Sequence, residues 1–179
     1  MRYKYTKSMN YQDYAAGRVI ISRKGMTSFP VRLASEIFQQ CLEYRGLQSP
    51  VCIYDPCGGS AHLLTTLGFL HGERIQSLLC SDIRSDAVKM ANYNLDLLSS
   101  IGIKNRASTL RKLIKLYDKP SHYDALNSAI SLSNSLSLDA IKTQAFVADA
   151  LTQSIARSPV DLLITDVPYN NLVIWDSNV

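Results

Sequence analysis

Four aspartates stand at or just beyond the ends of four short apolar runs: Asp55 after "VCIY", Asp82 in "SLLCSDI", Asp149 in "AFVADA" and Asp166 in "PVDLLITD". Each run has the length and composition of a buried strand, and in an open α/β sheet ligands bind outside the carboxyl ends of the strands. One aspartate so placed would be ordinary. Four in register predict a site.

The turn "DPCGGS" follows the first run. Its glycine pair lets backbone pass close to a ligand between a strand end and a helix start, where free amides favour polar or anionic groups. Asp82 is placed to accept both hydroxyls of a ribose, because an ionised carboxylate offers two acceptor oxygens. Asp149 is placed to accept from an exocyclic adenine amine. The G-x-G-x-x-G spacing of a dinucleotide site is missing, and the third small position is Ala61. An adenosine site without a clear pyrophosphate cradle points to S-adenosylmethionine more than to NAD. The expected cofactor site comprises Asp55, Cys57, Gly58, Gly59, Asp82, Ile83, Asp149 and Ala150.

The stretch "TDVPYN" closes the fourth run. Making an exocyclic amine nucleophilic toward a methyl carbon requires acceptors that hold its hydrogens and a platform that fixes the base plane. Asp166 and the carbonyl of Val167 are the expected acceptors. Pro168 stiffens the turn, and Tyr169 offers a stacking face, a contact worth about 1–3 kcal/mol per base. Rate would come mainly from positioning. Taken alone, D-x-P-Y is also a plausible strand-ending turn; behind an adenosine-site pattern it reads as a target-base site.

The elements that must hold these residues alternate. "SFPVRLASEIFQQCLEYRG" predicts a helix with Ser28 as cap, Pro30 in the first turn and Gly46 as stop. A strand over Val51–Tyr54 leads through the glycine turn to a helix from about 61 to 69. The second strand is followed by "SDAVKMANYNLDLLSSIG", a helix capped by Ser85 and closed by Gly102. Strand, helix, strand, helix is the parallel α/β pattern. Residues 104–142 break the rhythm with two helix-like stretches, "ASTLRKLIKLYD" and "SHYDALNSAISLSNSLSLDAI", which is too long for a simple crossover and predicts a helical insertion. "RVIIS" (18–22) fits a short strand or an extended arm.

At 179 residues and 46% hydrophobic the chain is the size of one globular domain with a real core. It lacks an apolar leader or a run long enough to span a membrane, so a cytoplasmic protein is expected. The cysteines (Cys41, Cys52, Cys57, Cys80) form no C-x-x-C pair and have no histidines at zinc-ligand spacing. Reduced, mostly buried thiols and no metal are expected. His62 and His71 fit packing or surface positions better than ligation, and His122 fits a helix start.

The net charge of +4 is unevenly spread. Residues 1–45 hold eight Lys/Arg against Asp13, Glu36 and Glu43, and residues 104–119 hold six against Asp118, leaving the remainder acidic. Two basic segments on an acidic domain suit a polyanionic partner, although basic helices are also commonly just solvated faces. Tyr3, Tyr5, Tyr11 and Tyr14, interleaved with Lys4, Lys7 and Arg18, suit base stacking or packing of the arm equally. Trp175 suits a base, a chain-end anchor or a buried strand.

Taken together, "DYAAGRVIISRKGMTSFPVRLASEIFQQCL", "YDPCGGSAHLLTTLGFLHG", "CSDI" and "TDVPYN" resemble the avilamycin-resistance 23S rRNA guanine methyltransferases (AviRa-like) over about Asp13 to Trp175. The resemblance implies a Rossmann-like S-adenosylmethionine-dependent methyltransferase fold and transfer of a methyl group to the exocyclic N2 amine of a guanine in 23S rRNA. By motif it places Asp55, Gly58 and Gly59 at the methionine part of the cofactor, Asp82 at its ribose and Asp149 at its adenine. Asp166, Pro168 and Tyr169 would form the target-base site. The implied organisation is a basic arm and helix over residues 1–46 and a methyltransferase core over 47–179, with the insertion at about 104–142 turning a basic face to rRNA.

Two positions depart from the family pattern: glycine is usual where Ala61 stands and common where Asn170 stands. Methyltransferases of this class build a seven-stranded sheet, and the fourth strand run lies near residue 166, so the fold is expected to be incomplete at its carboxyl end, with an exposed apolar edge and face. Alternatives are an adenine-N6 or other amino-methyltransferase on RNA or DNA, an inactive cofactor- or RNA-binding remnant, and, third, a nicotinamide-binding domain. No particular oligomeric state is implied.

Overall fold

The computed structural model describes all residues except 1–2, 24–25, 27, 49, 137–140, 152–158 and 168–179. Apolar runs separated by helices pair in parallel, because a crossover returns the chain to the same end of the sheet. Strands β1 (Val51–Asp55), β2 (Ile75–Asp82), β3 (Lys142–Val147) and β4 (Leu162–Leu163) form one parallel sheet in the order β3-β2-β1-β4. The order reverses beside β1, which places the topological switch point between the ends of β1 and β4. The expected α/β class holds, with β4 shorter and β3 earlier in sequence than the apolar runs suggested.

Three helices pack in series: α1 (Val31–Arg45) on α2 (His62–His71), and α2 on α3 (Ser85–Asp96). Helix α1 buries Ala34, Phe38 and Leu42 at helical spacing and ends at Gly46, whose φ of +61° is the left-handed stop the sequence predicts. Its start differs: Pro30, not Ser28, is the capping residue, and no side chain caps the first amides. Helix α2 is apolar all round and buried from His62 to Phe69, joining Ile53 of β1 and Leu78 of β2 in one core. That core also takes Val19 and Ile20 of the arm and Phe38 of α1, so it runs across the 46/47 boundary. The other sheet face is more open, with Leu79 half-buried and Leu163 62% exposed.

The run after β2 is two helices, not one. Helix α3 stops at Asp96, Leu97 and Leu98 form a buried corner, and α4 (Ser100–Tyr117) begins with the Ser99 hydroxyl accepting the Gly102 N–H at 2.9 Å. Gly102 lies inside α4, where a Cβ would run into the Asp96 carbonyl oxygen. Its conspicuous role is therefore close packing at the corner, not termination. Helix α5 (Pro120–Ser135) follows α4 before β3 and packs on α4 and on the 3-10 turn Gln12–Tyr14.

The arm forms no ladder among the described residues; it takes the 3-10 turn Gln12–Tyr14, a turn at 16–17 and bends over 18–20, where the Gly17 N–H donates to the Ile20 carbonyl at 2.8 Å, so neither a strand nor a fully extended arm forms there. Side chains hold it instead. Arg106 of α4, only 9% exposed, donates to the Val19 carbonyl at 3.0 Å and the Arg18 carbonyl at 2.6 Å. Arg18 donates to Ser128 of α5 at 3.2 Å, and Ser128 donates to Asp13 at 2.7 Å. Further toward the amino end, the fully buried Glu36 carboxylate accepts the amides of Lys4, Tyr5 and Thr6 and the side chain of Gln40. Burial pushes its pKa up, but these hydrogen bonds carry it below the ordinary value. The four arm tyrosines are half-buried; Tyr14 meets Phe69 edge-on at 6.5 Å, and the Arg32 guanidinium lies 3.9 Å over the Tyr3 ring. His62 and His71 are packing residues as expected, His71 against Phe38 and Ser35 and His62 against the Tyr14 carbonyl.

Strand β3 is a sheet edge, and Asn92 of α3 covers part of it by donating to the Ala145 carbonyl at 3.2 Å and accepting its N–H at 3.3 Å. Among the described residues no helix is long and apolar enough to cross a membrane.

Candidate active site

Strand β1 delivers Asp55 into the switch-point crevice with 2% exposure. The chain then turns tightly: the Cys57 N–H donates to Asp55 Oδ1 at 3.1 Å, and the Gly58 N–H donates to the Ser81 carbonyl at 2.9 Å, laying the loop along the end of β2. A Cβ on Gly58 would run into Cys80 Sγ and come within 3.3 Å of the Asp55 carboxyl carbon, so only glycine fits. Gly59 adopts φ +54° with open space around it, and its N–H donates to Asp82 Oδ2 at 3.0 Å. Ala61 is left-handed as well, at φ +57°. A side chain in that conformation costs about 1–2 kcal/mol. Helix α2 then starts without a side-chain cap, which leaves its first amides as polar donors beside the glycine turn.

Asp82, at the end of β2, accepts Gly59 through one oxygen and the Arg84 N–H at 2.9 Å through the other. The carboxylate is thereby held in one orientation and keeps lone pairs for further donors. Ile83 beside it is 66% exposed. Asp149 lies two residues past β3, half-buried, accepting the Leu151 N–H at 2.9 Å, and Ala148 ties this segment to β2 by donating to the Asp82 carbonyl at 3.1 Å. Ala150 is exposed, and Val147 and Leu151, which sequence reasoning did not single out, are 55% and 68% exposed and add apolar surface beside Asp149.

After β4 the Ile164 N–H donates to the Tyr54 carbonyl at 3.0 Å, which carries Thr165 and Asp166 alongside the end of β1. Asp166 is half-buried and Val167 is 56% exposed. Pro168, Tyr169, Asn170 and Trp175 lie outside the described residues. The structure therefore brings Asp55, Asp82 and Asp166 together, with Asp149 linked to Asp82 on the β3 side.

Burial pushes the Asp55 carboxyl up to about 6; the Thr165 side chain and the Cys57 amide act against this, and the negative charges of Asp166 and Asp82 act with it. The same burial and the nearby carboxylates raise the Cys57 and Cys80 thiols, so neither is a thiolate nucleophile at neutral pH. Beneath the turn, Tyr54 Oη and Ser81 Oγ lie 2.7 Å apart and Ser81 donates to the Pro56 carbonyl at 3.1 Å, a buried support that no sequence motif announced. Among the described residues no group of three or more His, Cys, Asp or Glu is arranged to hold a metal ion.

A sheet with its switch point at β1, a glycine turn after it and carboxylates at successive strand ends is an arrangement shared with known proteins. The structure superposes on the rRNA methyltransferase aviRa from Streptomyces viridochromogenes, solved at 1.5 Å and at 2.4 Å, with TM-scores of 0.84 and 0.83; identity is 36%, over 91% of this chain and 68% of that one. In sequence it is 37% identical over 174 residues to the 23S rRNA (guanine(2535)-N(1))-methyltransferase of the same organism, covering 93% of this chain and 70% of the relative. That name puts the relative's methyl group on the ring nitrogen N1, where the motif reading expected N2. The match to the family described as "RRNA methyltransferase AviRa" runs over residues 1–179, from the arm through the insertion to the strand-end carboxylates, and the chain belongs to that family.

Proposed function

We propose that this protein methylates a guanine in 23S rRNA on the base edge that carries N1 and N2, using S-adenosylmethionine bound at the carboxyl ends of β1, β2 and β3. The observation that carries the reading is the buried Asp55 carboxylate beneath a glycine turn: it ionises at a cost that a cationic ligand beside it would relieve, and the turn is open on its outer side at Gly59. The donor set fits the cofactor. Asp55, Cys57, Gly58 and Gly59 would hold its charged methionine end, Asp82 and Ile83 its ribose, and Asp149 and Ala150 its adenine. When bound, the cofactor supplies a methyl group on a sulfonium sulfur.

Asp166 and the Val167 carbonyl are the acceptors for the target base, with Pro168 and Tyr169 of the same motif as its platform. At N1 the carboxylate of Asp166 accepts the ring N–H proton, so that nitrogen attack and proton loss balance. The relative's name favours N1; the Asp-Val-Pro-Tyr sequence, shared by amino-methyltransferases, favours N2 as the second reading. The two nitrogens are neighbours on one base edge, so one acceptor set serves either. Incubating the purified protein and cofactor with 23S rRNA, followed by nucleoside mass spectrometry and primer extension, decides. Methyl at N1 blocks base pairing and stops primer extension, methyl at N2 lets it pass, and methyladenine or no methylated nucleoside would overturn the proposal.

The first 46 residues act as an arm and helix laid on the core, and the helical insertion supplies the RNA-facing charge. On α4, Lys104, Arg111 and Lys115 recur at helical spacing and are exposed, with Lys112 beside them. Arg106 is spent on the arm and does not join this face. Replacing Lys104, Arg111 and Lys115 together by Ala should weaken rRNA binding and lower the slope of log affinity against log salt by about 2, because each lost phosphate contact removes about 0.7–0.9. Cofactor affinity should stay unchanged. An unaltered salt slope would move the RNA contact elsewhere.

A further inference from the structure

Asn94 lies on α3 with none of its surface exposed, and it uses its side-chain amide fully. Its Oδ1 accepts the Ile21 N–H at 2.8 Å, and its Nδ2 donates to the Ile21 carbonyl at 2.8 Å and to the Ser60 carbonyl at 2.9 Å. Ile21 belongs to the arm. Ser60 closes the glycine turn and directly precedes the left-handed Ala61, where α2 begins. One side chain thus joins two segments that no strand pairing holds.

The orientation of the Ser60 carbonyl sets the peptide plane between Ser60 and Ala61. That plane is coupled to two unusual conformations, Gly59 at φ +54° and Ala61 at φ +57°. Ala61 lacks the glycine freedom that would let it hold this backbone without strain, so the turn depends on external contacts to stay in place. Asn94 supplies one of them, and two and three residues before Ile21 the arm is held by Arg106, which donates to the Val19 and Arg18 carbonyls.

We propose that Asn94 is a positioning residue for methyl transfer: by pinning Ser60 to the arm, it holds the glycine turn in the conformation that receives the cofactor. It is fully buried and acts through Ser60. The inference rests on the reading that the turn from Asp55 to Ala61 receives S-adenosylmethionine. It gives the arm a task inside the cofactor site, apart from any contact with RNA.

The test compares the full chain with Asn94→Asp, Asn94→Ser and Asp82→Ala, measuring calorimetric binding of S-adenosylmethionine, binding of a 23S rRNA fragment without cofactor, and KM and kcat separately. Asn94→Asp puts acceptors against two carbonyls; KM for the cofactor should rise about tenfold or more, equivalent to about 1.4 kcal/mol. At saturating cofactor kcat should change little, and rRNA affinity should stay at the native level. Asn94→Ser keeps one small donor and should give a partial effect, with faster amide hydrogen exchange over Gly58 to Ala61. It carries the test if Asn94→Asp does not fold. Native KM and native exchange in Asn94→Ser would overturn the proposal, as would a parallel fall in kcat and rRNA affinity, which marks general loosening. If Asp82→Ala binds cofactor as the native chain does, the site reading itself fails. If Asp82→Ala loses binding while both Asn94 variants retain it, only the role of Asn94 fails.

Discussion

Asp55→Asn is expected to make the protein more stable at pH 7 and less able to bind its cofactor. Asp55 is 2% exposed, and its carboxyl is raised to about 6 in the folded chain, by burial first and then by Asp166 and Asp82. The sign follows from which state holds the proton. Below about pH 4 the group is neutral in both states and the fold is unpenalised. Between about 4 and 6 the unfolded chain releases a proton that the folded chain keeps, so stability falls as pH rises. Above about 6 the loss is complete and amounts to about 3 kcal/mol, from roughly two pKa units at 1.36 kcal/mol each.

Asn is neutral at every pH, fills nearly the same volume and still accepts the Cys57 amide. Thermal unfolding should therefore show the variant above the native chain by roughly 6–12 °C at pH 7, given 2–4 °C per kcal/mol at this size. The two melting curves should converge near pH 4. Calorimetry with S-adenosylmethionine should show affinity lower by about tenfold or more, the value of a charge-assisted contact. A native-like melting profile across this pH range would mean that Asp55 is not ionised against its surroundings.

The second large effect separates two carboxylates. Asp82→Ala should weaken cofactor binding by about 10- to 100-fold, since it removes the acceptor proposed for two hydroxyls and frees the Gly59 and Arg84 amides. Asp166→Ala should leave cofactor affinity within about threefold, yet lower kcat by about 10²–10⁴, the usual worth of a positioned proton acceptor. Asp82→Asn, which retains one acceptor oxygen, should fall between native and Ala. Calorimetry and single-turnover methyl transfer on the same preparations supply both readouts. Equal loss of binding and transfer in the two Ala variants would show that the division of roles is wrong.

Much of this site is local chemistry, and local chemistry is what a sequence carries by itself. Short apolar runs closed by Asp marked the ends of β1 and β2, whereas β3 and β4 stop two and three residues before their Asp, and the turn at Gly58 and Gly59 followed from residues that tolerate close approach or positive φ. Gly46 ended its helix as predicted, and the length between the second and third strands announced the helix pair. The family resemblance was carried by those same motifs. Tertiary structure decided what depends on partners far along the chain. Gly102 resembled a helix stop, but the carbonyl of Asp96 across a buried corner made it a packing residue inside α4. Arg106 resembled one more charge on an RNA-binding face until its burial against the Arg18 and Val19 carbonyls, 88 and 87 residues away, turned it inward. Asn92 and Asn94 sit two residues apart on one helix and make similar amide pairs with unrelated backbone, one at a sheet edge and one between the arm and the cofactor turn. Periodicity and turn chemistry act over a few residues and are written into the chain; which distant backbone a polar side chain satisfies is fixed only when the core closes and every buried donor must find an acceptor.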